Sequence, residues 1–251
     1  MPVQIDRPAL KLEAKELLRT ASVPPVRFTL FFLAIALVLD EISAAVGYML
    51  DDSVGFAFLS FSFVSVLTTL LSTVLLAGFA IYCLGINRRA VMPYDCLFDA
   101  FPFAGKVILL ELLQGFLIGL GLSFFVAPGI YLFLCYPFAL YHLCEDPQIG
   151  VVEALRRSRM EMNGYKAQLL LLLLSFLPLL LAAALPLAAA QTLLLPRIPD
   201  TFSGALLSTL ISGVLAGVMQ VVLLPYIELA RVGFYRRAVP ESPESGAGDL
   251  L

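Results

Sequence analysis

The sequence predicts an all-α protein: a polytopic membrane bundle of about six transmembrane helices, with amphipathic helices at its cytoplasmic face. Composition is the first reason, since 60% of the 251 residues are apolar and 14% charged, where a soluble domain carries about a quarter charged. The second is the set of uncharged runs at 28–39, 53–87, 112–144, 167–196 and 201–227, because a helix needs about 20 apolar residues to cross ~30 Å of hydrocarbon. The third is the placement of cations. All 16 lysines and arginines except Arg197 fall in alternate gaps between the apolar stretches, as expected of a chain woven back and forth through a bilayer.

The elements follow in order. A charged leader, residues 1–27, contains an amphipathic helix over Asp6 to Ser22, with Leu10, Ala14, Leu17 and Leu18 on one stripe and Lys11, Lys15 and Arg19 on the other. It lies on the membrane or packs on the bundle. The membrane domain spans 28–239. Its first helix, 28–49, runs through Asp40 and Glu41, which sit in its outer half or face the bundle; the alternatives are a helix that stops at Leu39 and a cleavable signal segment, for which the charged leader is long. The second span covers 56–84. The apolar run 107–144 is roughly 57 Å long as one helix, nearly twice the bilayer, and must turn. Pro128-Gly129 marks the turn, giving spans at 107–127 and 130–145, the second short enough to be either a full crossing or a re-entrant loop. Spans at 168–191 and 203–226 complete the set. Residues 240–251, rich in Pro, Ser, Gly and Glu, form a disordered tail.

Six spans place both termini on one side. Five cations precede the first span, three lie between the second and third, four between the fourth and fifth, and three follow the sixth. The positive-inside bias makes that side the cytoplasm. The segment Val151 to Lys166 is a second amphipathic helix, with Arg156, Arg157 and Arg159 available to anionic headgroups.

Small residues recur every four positions at Ser65, Thr69, Thr73, Ala77, at Gly115, Gly119, Ser123 and at Gly204, Ser208, Ser212, Ala216. Such ridges let helix backbones approach closely, so they are the expected interior seams. A faint repeat compares Gly78-Phe79-Ala80-Ile81-Tyr82 with Pro137-Phe138-Ala139-Leu140-Tyr141 and, loosely, Pro225 to Leu229. The stretches Gly85 to Val91 and Gly233 to Val239 share five of seven residues, and three related helical hairpins would account for both.

Chemistry is sparse. The cysteines Cys83, Cys96, Cys135 and Cys144 lack paired spacing and His142 is the only histidine, so no metal cage is expected. One histidine cannot supply an HExxH pair, no GxSxG elbow accompanies it, and no GK[ST] ends a glycine-rich loop. A pI near 5.2 argues against nucleic acid. No cofactor and no catalytic residue is expected. Ionisable groups within spans are costly enough to be functional candidates: Asp40, Glu41, Glu111 and Glu228, with Gln114 and Gln220 as the uncharged ones. Glu111 lies about 7 Å inside Lys106 and can pair with it; Glu228 follows Pro225 at the inner exit of the last span. Pro178, Pro186, Pro196 and Pro225 kink helices or break them.

One set of landmarks is specific. Pro128-Gly129-Ile130, Tyr136, Tyr141, Glu145-Asp146, Glu153-Ala154, Ser158-Arg159 and Met162-Asn163-Gly164-Tyr165-Lys166 resemble the bacterial multi-pass membrane family called domain of unknown function 975. Ala14 to Leu18, Ser175-Phe176, Pro225-Tyr226 and Phe234-Tyr235 fit it too, although the chain lacks the family's usual tryptophan. The resemblance implies an integral protein of a bacterial cell membrane and carries over no catalytic residue.

The leading expectation is a scaffold or accessory partner of a transport or envelope system, contacting lipid and a membrane-protein partner or further copies of itself. The alternative is a small permease or channel for an ion or small solute. A polar cavity near mid-membrane, lined by Gln114, Gln220 or Asp40 and Glu41, would reverse that order, and a polar cluster around His142 is what an enzyme would need.

Overall fold

The structure, a computed structural model, describes residues 5–21, 23–50, 56–199 and 201–239, so the expected disordered tail lies outside the described residues. Within them the regular elements are all helical: α1 (Arg7–Thr20), α2 (Pro25–Leu50), α3 (Phe56–Asn87), α4 (Ala104–Phe124), α5 (Val126–Phe133), α6 (Ala139–Glu145), α7 (Val151–Glu161), α8 (Lys166–Leu174), α9 (Leu177–Leu193) and α10 (Phe202–Ala238), with short 3-10 turns at Tyr94–Phe98, Phe101–Phe103 and Leu195–Arg197. Five stretches among the described residues are long and apolar enough to cross a membrane: Pro25–Gly47, Phe63–Asn87, Tyr94–Phe124, Leu177–Arg197 and Phe202–Ala238. Their large side chains are unusually bare, with Leu185 68% and Phe124 71% exposed. Water does not tolerate apolar surface on this scale, whereas lipid does.

The expected fourth and fifth spans are not single helices. Over 130–145 the chain forms α5 and α6, separated by a non-helical stretch at 134–138. The cause is local. Pro137 has no N–H to give the Phe133 carbonyl, and the Phe138 N–H turns to Ser158 Oγ at 3.2 Å instead of to Leu134. Between α8 and α9 the break follows from Pro178, which cannot donate to Leu174. The Ser175 carbonyl at this break accepts from Lys11 Nζ at 3.2 Å.

The hairpin turn also differs from expectation. Phe125, at φ −159° and ψ 152°, leaves the helix and ends α4; Pro128 sits in the first turn of α5, where its missing donor costs nothing. Gly129 matters for closeness, since a Cβ there would lie 2.9 Å from the Leu122 nitrogen.

The broken arm nevertheless retraces α4. Gly121 meets Gly129 at one end, Gln114 Nε2 donates to the Tyr136 carbonyl at 2.6 Å in the middle, and Lys106 Nζ donates to the Pro147 and Ile149 carbonyls at the other. Residues 106 and 121 are about 22 Å apart along the helix, so 126–147 descends most of a bilayer's depth despite its break. The strand of chain therefore returns to the end from which α4 started.

All charge-rich termini gather at that basic end. Tyr82 donates to the Val23 carbonyl at 2.9 Å, Arg237 reaches Glu13 at 2.8 Å, and Leu10 of α1 packs on Gly233 of α10. Leu10, Ala14 and Leu17 are buried, so α1 is docked on the bundle by its apolar stripe. The fully buried large side chains, Phe28, Phe79, Tyr82, Phe138, Tyr141 and Phe234 among them, lie at this end as well, and the Phe28 and Tyr82 rings stack at 3.6 Å. The first two copies of the faint repeat share this pattern: Phe79 and Tyr82 on α3 match Phe138 and Tyr141 around α6 in burial and spacing.

The expected glycine ridge of α4 is not a seam. A Cβ at Gly115 or Gly119 meets open space, and the ridge hydroxyls of Ser123, Thr73 and Ser212 bond carbonyls one turn back on their own helices. Close approach occurs at other glycines: Gly78 against the Leu97 carbonyl, Gly121 against Gly129, and Gly213 against Leu37 where α10 meets α2.

Candidate functional site

Between α3, α4, the broken arm and α10 lies a cavity of about 340 Å³, lined by Leu76, Ala80, Glu111, Gln114, Gly115, Ile118, Phe133, Tyr136, Pro137, Leu140, Tyr141, Leu224, Glu228 and Arg231. Its depth follows from sequence distance. Glu111 stands five residues inside Lys106 and Ile118 twelve, about 7 and 18 Å along α4, so the cavity runs from the basic end toward mid-membrane.

Glu228 is more enclosed than an interfacial position implies, with its side chain 13% exposed. Tyr141 donates to Glu228 Oε1 at 2.5 Å and Arg231 to Oε2 at 2.9 Å. Residues 228 and 231 are three apart on α10 and so share a face, while the Tyr141 ring lies 5.9 Å from the guanidinium. Lys106 does not pair with Glu111, because its ammonium holds the Pro147 and Ile149 carbonyls. Among the described residues Glu111 has no hydrogen-bond or ion-pair partner, and Arg231 lines the same cavity.

The wall built by the broken arm is held by two side chains. Gln114 supports the Tyr136 carbonyl. Ser158, fully buried in α7, donates to the Cys135 carbonyl at 3.0 Å and accepts from the Phe138 N–H. Ser158→Ala is expected to cost about 1–3 kcal/mol by orphaning both groups, measured as chemical unfolding in micelles; Ser123→Ala, whose hydroxyl only back-bonds to Gly119, should cost almost nothing.

The other sequence candidates lie elsewhere. Asp40 and Gln220 line a second space of about 320 Å³ between α2 and α10, otherwise walled by Leu, Val, Ala and Gly. α2 continues unbroken past Leu39 through both acidic residues, and Glu41 keeps one carboxylate oxygen buried without a hydrogen bond among the described residues. Thus Glu111, Gln114 and Glu228 are brought together, Asp40 and Gln220 share a separate space, and Glu41 lines neither. Arg156 and Arg157 both reach Glu153, at 3.5 and 3.3 Å, and with Arg159 lie on the exposed face of α7.

A polar cluster does surround His142. Its Nε2 contacts Glu161 Oε2 at 2.5 Å and its Nδ1 lies 3.3 Å from the Tyr235 hydroxyl, which donates to Glu145 Oε2 at 2.6 Å; Glu145 Oε1 accepts from Arg88 at 2.6 Å. Arg88 is presented by a Schellman end to α3, in which Ala90 N–H bonds the Gly85 carbonyl and Arg89 adopts φ 58°. The hydroxyl beside the imidazole is committed to Glu145, so the cluster ties α3, α6, α7 and α10 together. Tyr141, Arg231, Tyr235 and Arg88 were missed as site residues from sequence; the aromatic–basic spacing of the repeat was the available signal.

The fold and its bare apolar helices define an integral membrane protein of the all-α polytopic class. Residues 122–241 match the family model described as Protein of unknown function (DUF975). That stretch, which carries α5 to α10 and most of the cavity's polar groups, thus belongs to the family its landmarks resemble. No curated protein and no solved structure matches the chain.

Proposed function

We propose that the protein is a small-solute permease of a bacterial cell membrane, with both termini in the cytoplasm and without chemistry of its own. The observation that carries this reading is the cavity reaching from the basic end toward mid-membrane, with Glu111, Gln114, Glu228 and Arg231 in its lining. A protein that serves only as a scaffold has no use for two carboxylates and a guanidinium at that depth, since each is costly in lipid. The broken arm strengthens the argument: non-helical backbone at membrane depth is tolerated where it lines a cavity, and discontinuous helices form the solute sites of many transporters. The asymmetry of the cations supports the orientation.

The test is thiol accessibility. Gly115→Cys and Leu224→Cys face the cavity, whereas Leu112 and Phe116 are exposed on the apolar surface of α4. A charged methanethiosulfonate should modify the first pair from the cytoplasmic side and leave Leu112→Cys and Phe116→Cys unmodified, the unsubstituted chain giving the background. If Gly115→Cys reacts no faster than Phe116→Cys, the cavity is not aqueous and the scaffold reading takes its place.

A further inference from the structure

Resting on that reading of the cavity, we infer that its occupant is a lipophilic organic cation, an amine or ammonium bearing apolar groups, with Glu111 as the counter-ion. The argument follows from which polar groups of the lining are already engaged. The Tyr141 hydroxyl and Arg231 both donate to Glu228, and the Gln114 amide nitrogen donates to the Tyr136 carbonyl. Glu228 is therefore satisfied from within the wall. Glu111 lines the same cavity with no hydrogen-bond or ion-pair partner among the described residues.

Two carboxylates facing one guanidinium leave the site an excess negative charge. The lining keeps acceptors for an occupant in the Glu111 carboxylate and the Gln114 Oε1 oxygen, beside the Arg231 N–H groups that Glu228 does not take. An anion drawn to the remaining Arg231 N–H groups would meet Glu228 and Glu111 on the same walls.

Size and lining set the rest of the chemistry. A volume of about 340 Å³ is that of a small organic molecule, and a bare divalent ion would need about six oxygens that this lining lacks. Leu76, Ile118 and Leu224 offer apolar walls, and Phe133 and Tyr136 add aromatic side chains to the lining, a residue type that attracts cations. The exposed carboxylate of Glu111, on the side of α4 that opens to the surface, gives such a ligand a route of entry from the membrane at headgroup level.

The experiment uses the full chain with Gly115→Cys in nanodiscs of zwitterionic lipid and follows N-ethylmaleimide modification. The probes are benzyltrimethylammonium, its neutral isostere neopentylbenzene, and the anion phenylmethanesulfonate. Benzyltrimethylammonium alone should protect the thiol. Adding Glu111→Gln should weaken that protection by at least about tenfold, and Glu111→Asp should retain most of it; unchanged unfolding midpoints show that both variants fold. Equal protection by the neutral or anionic probe, protection by none while the thiol reacts, or protection indifferent to Glu111→Gln overturns the cation inference and leaves the aqueous cavity standing. A thiol that never reacts overturns the cavity reading and this inference with it.

Discussion

Replacing Arg231 with methionine is expected to destabilise the protein by about 3–5 kcal/mol, because it leaves the Glu228 carboxylate enclosed without its cation. The Glu228 side chain is 13% exposed and Arg231 31%, which places the loss toward the lower end of that range. Among the described residues Tyr141 would remain as the only donor to Glu228. Replacing both members, Glu228→Met with Arg231→Met, should recover most of the loss, since a buried pair exchanged for apolar side chains of similar volume is often neutral. The comparison is made by equilibrium unfolding in mixed micelles. If the double variant is as unstable as Arg231→Met alone, the guanidinium acts through packing on the Tyr141 ring, and the electrostatic account of this wall is wrong. The same pair of variants separates stability from solute handling: the double variant should fold and, since it removes one charge of each sign, keep the Glu111 carboxylate on which cation preference rests.

The bundle was legible because lipid imposes a coarse rule, a long apolar run between charges, that a composition-level reading captures. Where that rule failed, the cause was a single residue acting on the backbone. Pro137 and Pro178 interrupt runs whose hydropathy is continuous, and hydropathy has no memory of which N–H is missing. The turn after α4 was placed at Pro128-Gly129 for the same reason inverted: a proline near a helix start reads as a break although it costs nothing there. The ridges failed differently. Spacing identifies which small residues share a face but not which face meets a neighbour, so Gly115 and Gly119 were assigned to a seam while Gly121, two positions on, makes the contact.

The site was half legible. Glu111, Gln114 and Glu228 were singled out for their cost in lipid, and the structure joins them in one cavity. Arg231 and Tyr141 were not, because a basic residue at an inner helix end and a tyrosine at headgroup level are both ordinary anchors. Only the fold shows that the 126–147 arm descends far enough to lay Tyr141 against Glu228. The partners of His142 lie 19 and 93 residues away in the chain and have no local signature.

Gly78→Ala is expected to cost at least about 3 kcal/mol, more than a usual overpacking change, because its Cβ would stand 1.9 Å from the Leu97 carbonyl oxygen. The obstacle is backbone, and it cannot rotate away as a side chain would. Leu97 is fully buried in the Tyr94–Phe98 turn, which is wedged against α3 and carries Tyr94 toward Phe28, at 6.0 Å between rings, beside the Phe28–Tyr82 stack. Pushing that turn outward would therefore loosen the aromatic core as well as the contact itself. Gly119→Ala provides the contrast: its Cβ meets nothing, and removing a flexible residue from a helix interior should stabilise by about 0.5–1 kcal/mol. Unfolding midpoints of the two variants, with yield from membranes as a second measure, should move in opposite directions. The pairing also bears on the repeat, in which Gly78 aligns with Pro137. In each copy a second segment meets the chain at this point: the Leu97 turn lies against Gly78 in one, and Ser158 of α7 accepts from the N–H of Phe138, the residue after Pro137, in the other. A tolerated Gly78→Ala would mean that the turn is not seated on α3, and the two hairpins would then share a sequence pattern without sharing the packing that explains it.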